Sequence, residues 1–233
     1  MYDYLKGKEF PEIVEREDGL FDVSTSLPRY YFAEYSKWNT REKLALKYVR
    51  GRVIDVGCGA GRVSLYLQQK GFDVLGVDIS PLAIHVCKLR GARKVQVAPI
   101  AKIDSRFGTF DTILMFGNNF GLFGNPQRAK WLLKRFRKMT SAEARIIAES
   151  INPYRTTDPA HRQYQAYNRR RGRLPGQLKI RVRYRKHVTP WFQYLIVSQN
   201  EMRTILKGTG WALKRTFETK SGPYVAIIEK TKE

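Results

Sequence analysis

Two apolar rhythms run along the chain. Arg52-Val53-Ile54-Asp55-Val56 is a short apolar run that enters glycines at once, the pattern of a buried strand ending in a tight turn. Before it, Thr40 to Val49 reads as a helix with Leu44, Ala45, Tyr48 and Val49 on one side. After it, Ala60 to Lys70 predicts a helix stopped by Gly71, and Phe72 to Val77 predicts a strand ending at Asp78. Ser80 and Pro81 suit the N-cap and first turn of another helix, which stops at Gly91. Lys94–Ala98, Phe110–Phe116 and Ala144–Ala148 predict three more strands, with a helix from Asn125-Pro126 to about Met139 before the last. Strands alternating with helices imply a parallel sheet with right-handed crossovers.

The rhythm changes after residue 150. Residues 151–190 are polar, basic and poorly periodic. Within them Leu178 to Val188 alternates, Ile180, Val182 and Tyr184 against Arg181, Arg183 and Arg185, which predicts a half-exposed antiparallel strand. Trp191–Val197 can pair with it as a hairpin. Ser198-Gln199-Asn200-Glu201 is a capping box opening a helix to about Lys207, and Trp211–Glu218 and Tyr224–Lys230 are two last strands. The predicted fold class is α/β: a doubly wound, mostly parallel seven-stranded sheet with an antiparallel last strand, plus a basic β-hairpin insertion. It divides into an N-terminal cap (1–37), a core (38–150), a basic substrate-side insertion (151–197) and the C-terminal part of the core (198–233).

Composition narrows the class. The 233 residues fit one elaborated domain, and 42% hydrophobic content suffices for a core. No apolar run approaches the ~20 residues of a membrane span. The first nine residues lack the apolar stretch of a signal peptide, so a cytoplasmic location is expected. Cys58 and Cys87 have neither disulfide-framework nor zinc-ligand spacing, and no metal site is expected. The net charge of +22 suits a polyanionic partner or a solvated basic surface.

The loop after the first core strand carries the candidate chemistry. It reads Gly57-Cys58-Gly59-Ala60-Gly61-Arg62. Ligands in open α/β sheets sit at the carboxyl ends of the strands, and glycines let backbone approach a ligand closely. The dinucleotide fingerprint G-x-G-x-x-G would need a glycine where Arg62 stands. Asp55, two residues before the first glycine, repels a pyrophosphate and suits a cation. Asp78 can accept two hydrogen bonds from ribose hydroxyls or can cap the following helix, a role that Ser80 already fills.

Val53 to Arg62, followed by Val74-Leu75-Gly76-Val77-Asp78-Ile79-Ser80-Pro81, resembles the first two motifs of class I, Rossmann-like S-adenosylmethionine-dependent methyltransferases. The element order from about 40 to 230 is similar too. The resemblance implies S-adenosyl-L-methionine as cofactor and S-adenosyl-L-homocysteine as product. It implies that Asp55, Gly57, Cys58 and Gly59 line the methionine end, that Asp78 holds the ribose, and that Ile79 packs on adenine. Ile100, after the third strand, would also meet adenine. Phe116, Gly117 and Asn118, after the fourth, would face the sulfonium. Family members often carry an acid just after the third strand; here Ala98-Pro99-Ile100 stands there, with Asp104 further on as a substitute.

The acceptor is less legible. The loop Phe116-Gly117-Asn118-Asn119-Phe120-Gly121 lacks the prolines of exocyclic base-amine methyltransferases, and neither cysteine is placed for cytosine-C5 chemistry. The insertion holds eleven Arg and Lys candidates against one acid, Asp158, interleaved with Tyr154, Tyr164, Tyr167 and Tyr184. That composition suits RNA, an anionic small molecule, or a lid with a solvated outer face. Tyr31, Trp38, Asn119, His161, Tyr164 and Arg183 are the candidate substrate-side residues. Tyr31 and Trp38 are equally readable as core anchors. His161 and His187 are the candidate bases if one is needed. The competing readings are a non-catalytic nucleic-acid-binding module on the same scaffold and a nicotinamide-dependent oxidoreductase.

Overall fold

The computed structural model describes residues 1–25 and 27–231, with the backbone alone at 27 and 28. The chain opens with a short helix, α1 (Tyr2–Leu5), a hairpin of β1 (Glu12–Arg16) and β2 (Phe21–Ser24), and two helices, α2 (Leu27–Phe32) and α3 (Thr40–Leu46). The core follows as β3 (Val53–Val56), α4 (Arg62–Gln69), β4 (Val74–Asp78), α5 (Pro81–Leu89), β5 (Val95–Val97), β6 (Phe110–Met115), α6 (Pro126–Lys138) and β7 (Thr140–Ile151). Next come α7 (Pro159–Arg170), β8 (Gln177–Tyr184), β9 (His187–Val188) and β10 (Phe192–Leu195). The chain closes with α8 (Gln199–Leu206), β11 (Trp211–Glu218) and β12 (Pro223–Lys230).

Seven strands form one sheet in the order β11-β12-β7-β6-β3-β4-β5. The pairs from β5 to β7 are parallel, and β12 is antiparallel to both β7 and β11. This is the predicted sheet, with its antiparallel last strand. Its middle is closed to solvent: all four residues of β3 are buried. Helices cover both faces. On one, Ala129, Leu132, Leu133 and Phe136 of α6 pack with Met202, Ile205 and Leu206 of α8 against Ile54, Ile113 and Ile146. On the other, Ala45 of α3 and Val63 and Leu67 of α4 meet Val53, Leu114 and Ile147. Burying each of the larger of these side chains contributes about 1.5–3 kcal/mol.

The insertion does not stand alone as a hairpin. β8 pairs with β10 as expected, and its other edge pairs with β1, giving a second, antiparallel sheet in the order β10-β8-β1-β2, with β9 also on β8. The N-terminal cap and the insertion therefore make one body over the carboxyl edge of the large sheet. Two elements of it escape periodicity. The β1–β2 hairpin is short and only partly buried. The helix α7 buries Tyr164, Gln165 and Asn168, so an apolar pattern does not mark it. Its start is nonetheless written in Asp158-Pro159, an N-cap accepting from the Ala160 N–H at 2.8 Å followed by proline in the first turn.

The pairing also accounts for much of the insertion's charge. Glu15 stands opposite Arg181 across β1 and β8, accepting from it twice at 2.7 Å, and it accepts from Arg183 as well. These two guanidinium groups hold the Glu15 carboxyl down, to about 2. Glu17 receives Tyr164 at 2.9 Å and Arg173 at 3.2 Å, and Asp3 receives Tyr184 at 2.9 Å. The acids that offset the insertion's cations lie more than 130 residues away in sequence.

Candidate active site

The loop after β3 is fixed from both sides. Gly57 and Cys58 donate their N–H groups to the Val77 carbonyl on β4, at 2.7 and 3.1 Å. From the β6 side, Asn119 donates its amide to the carbonyls of Val56 (2.9 Å) and Gly57 (3.0 Å). Gly57 has φ +76°, and a Cβ there would fall 2.4 Å from the Asn119 amide nitrogen, so glycine is required twice over. Asp78, at the end of β4, accepts from the Gly59 N–H at 3.0 Å and from the Ser80 N–H at 2.8 Å. Ser80 caps α5 by accepting from Ala83, as the sequence implies.

A cavity of about 610 Å³ opens at this edge, within the range of small-ligand clefts. Of the residues assigned to the cofactor, Asp55, Gly57, Cys58, Gly59 and Asp78 line it, with Ile79, Ile100, Phe116 and Gly117. Asn118 does not: it takes a left-handed turn, φ 62°, and its carbonyl accepts from Tyr194 at 2.6 Å. Asn119 lines the cavity in its place.

Buried Asp55 and half-buried Asp78 face this space without an ion-pair partner among the described residues. Burial pushes the Asp55 carboxyl up to about 6, against the hydrogen bond that Ser64 donates at 2.6 Å. Burial likewise raises Asp78, against its backbone donors at Ser80 and Gly59. Ile79 beside them is 71% exposed, a large apolar side chain left open to the cavity.

Arg62, the residue that breaks the dinucleotide fingerprint, is buried and paired. Its guanidinium donates to both oxygens of Glu42 and, at 2.8 Å, to the Tyr30 hydroxyl. It lies between the Tyr30 and Trp38 rings, 4.1 and 4.3 Å from their centroids. Burial opposes its charge, and the hydrogen bond to Glu42 together with the Tyr30, Glu42 and Glu149 charges outweighs that, leaving the group above its ordinary pKa. This cluster ties the N-terminal segment to the cofactor loop. It also corrects the placement of Trp38, which is 5% exposed and stacks on Arg62 outside the cavity lining. Buried Glu149, at the end of β7, similarly fixes the turn after β6. It accepts from the Gly117 N–H at 2.7 Å and from Arg41 at 2.9 Å.

Of the other substrate-side candidates, Tyr31 lines the cavity. His161, Tyr164 and Arg183 do not. His161 is exposed beside Thr156 at 3.3 Å. Tyr164 is packed under Arg16 and bonded to Glu17, and Arg183 is held by Glu15. His187 is exposed on β9, also away from the lining. Asp104 is occupied by Arg106 and Arg135, which hold its carboxyl well below the usual range, and it lies outside the cavity. The roof is instead formed by Thr189 to Gln193, with Arg128 and Leu122 alongside. Sequence reasoning misses these. The usable signal is the capped start of α6 at Asn125-Pro126, which aims the helix's first turn at the strands' carboxyl edge. Glu149 has one too: an acid directly after the apolar run Ile146-Ile147-Ala148 near the carboxyl end of a strand.

Comparison with known proteins agrees with this geometry. The model of the methyltransferase-domain family matches residues 53–141. A human lysine N-methyltransferase for an ATP synthase subunit is 27% identical over 110 residues, 44% of this chain and 43% of that protein. The Rhodobacter capsulatus magnesium-protoporphyrin O-methyltransferase is 39% identical over 69 residues, 27% of this chain and 30% of that one. The chain thus spans less than half the length of these two relatives. Among solved structures, a methyltransferase from Bacteroides fragilis in complex with S-adenosyl-L-homocysteine has a TM-score of 0.81 at 24% identity, covering 97% of this chain and 90% of that one. The CcbJ methyltransferase of Streptomyces caelestis has a TM-score of 0.62 at 14% identity, covering 87% and 98%. Both show the same fold. No helix among the described residues is long and apolar enough to cross a membrane.

Proposed function

We propose, from the premise that this chain carries a class I, Rossmann-like methyltransferase domain, that it binds S-adenosylmethionine in the 610 Å³ cavity and methylates a small-molecule acceptor there. The observation that carries the reading is the pair of carboxylates, buried Asp55 and half-buried Asp78, that stand without an ion-pair partner among the described residues on either side of a glycine loop. Their donor set fits this cofactor: Asp55 would receive its ammonium and Asp78 its ribose hydroxyls, while exposed Ile79 would cover adenine. A pyrophosphate would meet two carboxylates instead.

The bound cofactor supplies an electrophilic methyl group, so the protein's part is to position the nucleophile and exclude water. Gly117, held by Glu149, would place backbone beside the sulfonium. Tyr31 and the Thr189–Gln193 roof would close the acceptor side. Burial raises the Tyr31 phenol, with the Glu12 carboxylate and its hydrogen bond adding to the effect, so the phenol stays protonated with its proton directed to Glu12.

A small acceptor is favoured over RNA because Arg181, Arg183 and Arg173 of the insertion are already engaged by Glu15 and Glu17. The open cavity and the Asp55 and Asp78 carboxylates that line it speak against a purely nucleic-acid-binding role. Calorimetry with S-adenosylhomocysteine and NAD is the primary test. Binding of the first and not the second is expected; no binding of S-adenosylhomocysteine sinks the proposal. Tritium transfer from labelled cofactor into fractionated metabolite and RNA pools then tests the acceptor class. Label confined to RNA would overturn the small-molecule reading.

A further inference from the structure

The partly buried arginines of this chain are, as a rule, held by carboxylates: Arg16 by Asp18, Arg41 by Glu149, Arg62 by Glu42, Arg135 by Asp104. Arg128 is the exception on the cavity wall. Its backbone N–H goes to the Asn125 side chain at 2.8 Å, which fixes it as the third residue of α6. Its guanidinium lines the cavity and meets no carboxylate and no hydrogen-bond acceptor among the described residues.

The surroundings reinforce its charge. A Cβ at Gly124 would lie 3.2 Å from an Arg128 Nη atom and 3.3 Å from the Gln193 Cβ, so the two side chains share a wall. Gln193 accepts from Asn125 at 2.6 Å through its oxygen, which leaves its NH₂ group as a second donor. The first turn of the thirteen-residue α6 adds the positive end of its dipole. The cavity's carboxylates, Asp55 and Asp78, belong to the cofactor end. The cavity lining also includes the apolar side chains of Leu122, Trp191 and Phe192. A half-buried guanidinium with a free fork of donors matches a carboxylate or phosphate, and desolvation within a cleft strengthens that match.

We propose that Arg128 and Gln193 form the recognition site for an anionic group, carboxylate or phosphate, on a methyl acceptor with an apolar body. The inference rests on the cavity being a methyltransferase site. Arg128 would act through binding and orientation of the acceptor, with no proton to move.

The test uses the full chain saturated with S-adenosylhomocysteine. Binding of 4-hydroxybenzoate, phenyl phosphate and the neutral 4-hydroxybenzamide is measured by calorimetry. At least one anionic probe should bind tenfold or more tightly than the amide. Which one does so distinguishes a carboxylate site from a phosphate site. Arg128→Met should reduce that preference to within about twofold, and Arg128→Lys should keep part of it, with S-adenosylhomocysteine affinity the same in all three proteins. A wild-type protein with no preference for either anion overturns the inference, as does a preference that survives in Arg128→Met. Loss of S-adenosylhomocysteine binding by the wild type would instead overturn the cofactor reading.

Discussion

The two sheets of this molecule are built on different physics. In the large sheet, β3 is buried throughout and the parallel strands are joined by crossovers such as α4, α5 and α6, so burial and local crossovers fix the glycine loop. In the small sheet, β8 buries only Ile180, and the strands that flank it come from opposite ends of the sequence. Charge pairs such as Glu15 with Arg181 do there what apolar packing does in the core. The glycine-loop floor of the cavity is therefore set by buried strands, and its roof by strands that meet across the length of the chain. The roof can change without disturbing the floor.

The sharpest way to break the distinction is to cut the buried Arg62–Glu42 pair beside the glycine loop. Arg62→Met leaves Glu42 buried without its cation, a change that typically costs 3–5 kcal/mol, and urea unfolding should show a loss of about that size. An unchanged midpoint would mean that the pair is not structural. Next comes the floor itself. Asp78→Ala should weaken S-adenosylhomocysteine binding about 100-fold, the loss of two charge-assisted hydrogen bonds, while circular dichroism stays native. A smaller effect appears with pH. The raised Asp55 carboxyl is ionised above about 6 and protonated below it, so affinity for the cofactor's ammonium should hold between pH 7 and 8. It should fall about tenfold from pH 7 to pH 5, with Asp55→Asn flattening the profile. The smallest effect belongs to the roof. Glu15→Gln should speed amide hydrogen exchange in β8 and leave β3 unchanged; equal acceleration in both would erase the contrast between the sheets.

The two halves are also unequally legible. Strands of the core are runs of apolar residues bounded by glycine, and Asp55, Gly57, Gly59 and Asp78 sit at spacings that only a few ligands fit. Asn119 is visible in the sequence, though its role is not, since nothing local tells that its amide reaches the carbonyls of Val56 and Gly57. The insertion misleads in one respect. Counted alone it holds one acid, and its arginines point to an anionic partner; Glu15 and Glu17 occupy Arg173, Arg181 and Arg183 from the far end of the chain. Local patterns carry no signal for a strand pairing across 166 residues. The same blindness puts Tyr164 and Arg183 at the acceptor when the sequence is read alone. Arg128 escapes notice because an arginine in a basic amphipathic helix looks like its neighbours until the cavity gives it a direction.

The pairing of β1 with β8 sets an order of assembly. As the chain is synthesised, the β1–β2 hairpin emerges first and β8 only after most of the large sheet has its strands. Two-stranded hairpins are marginal alone, so β1 waits as an unpaired edge until more than 160 residues have followed. Closing so long a loop is slow relative to the βα units. The strands that carry Asp55 and Asp78 are therefore synthesised before β8 and β10, and the roof's pairing with β1 has to wait for them.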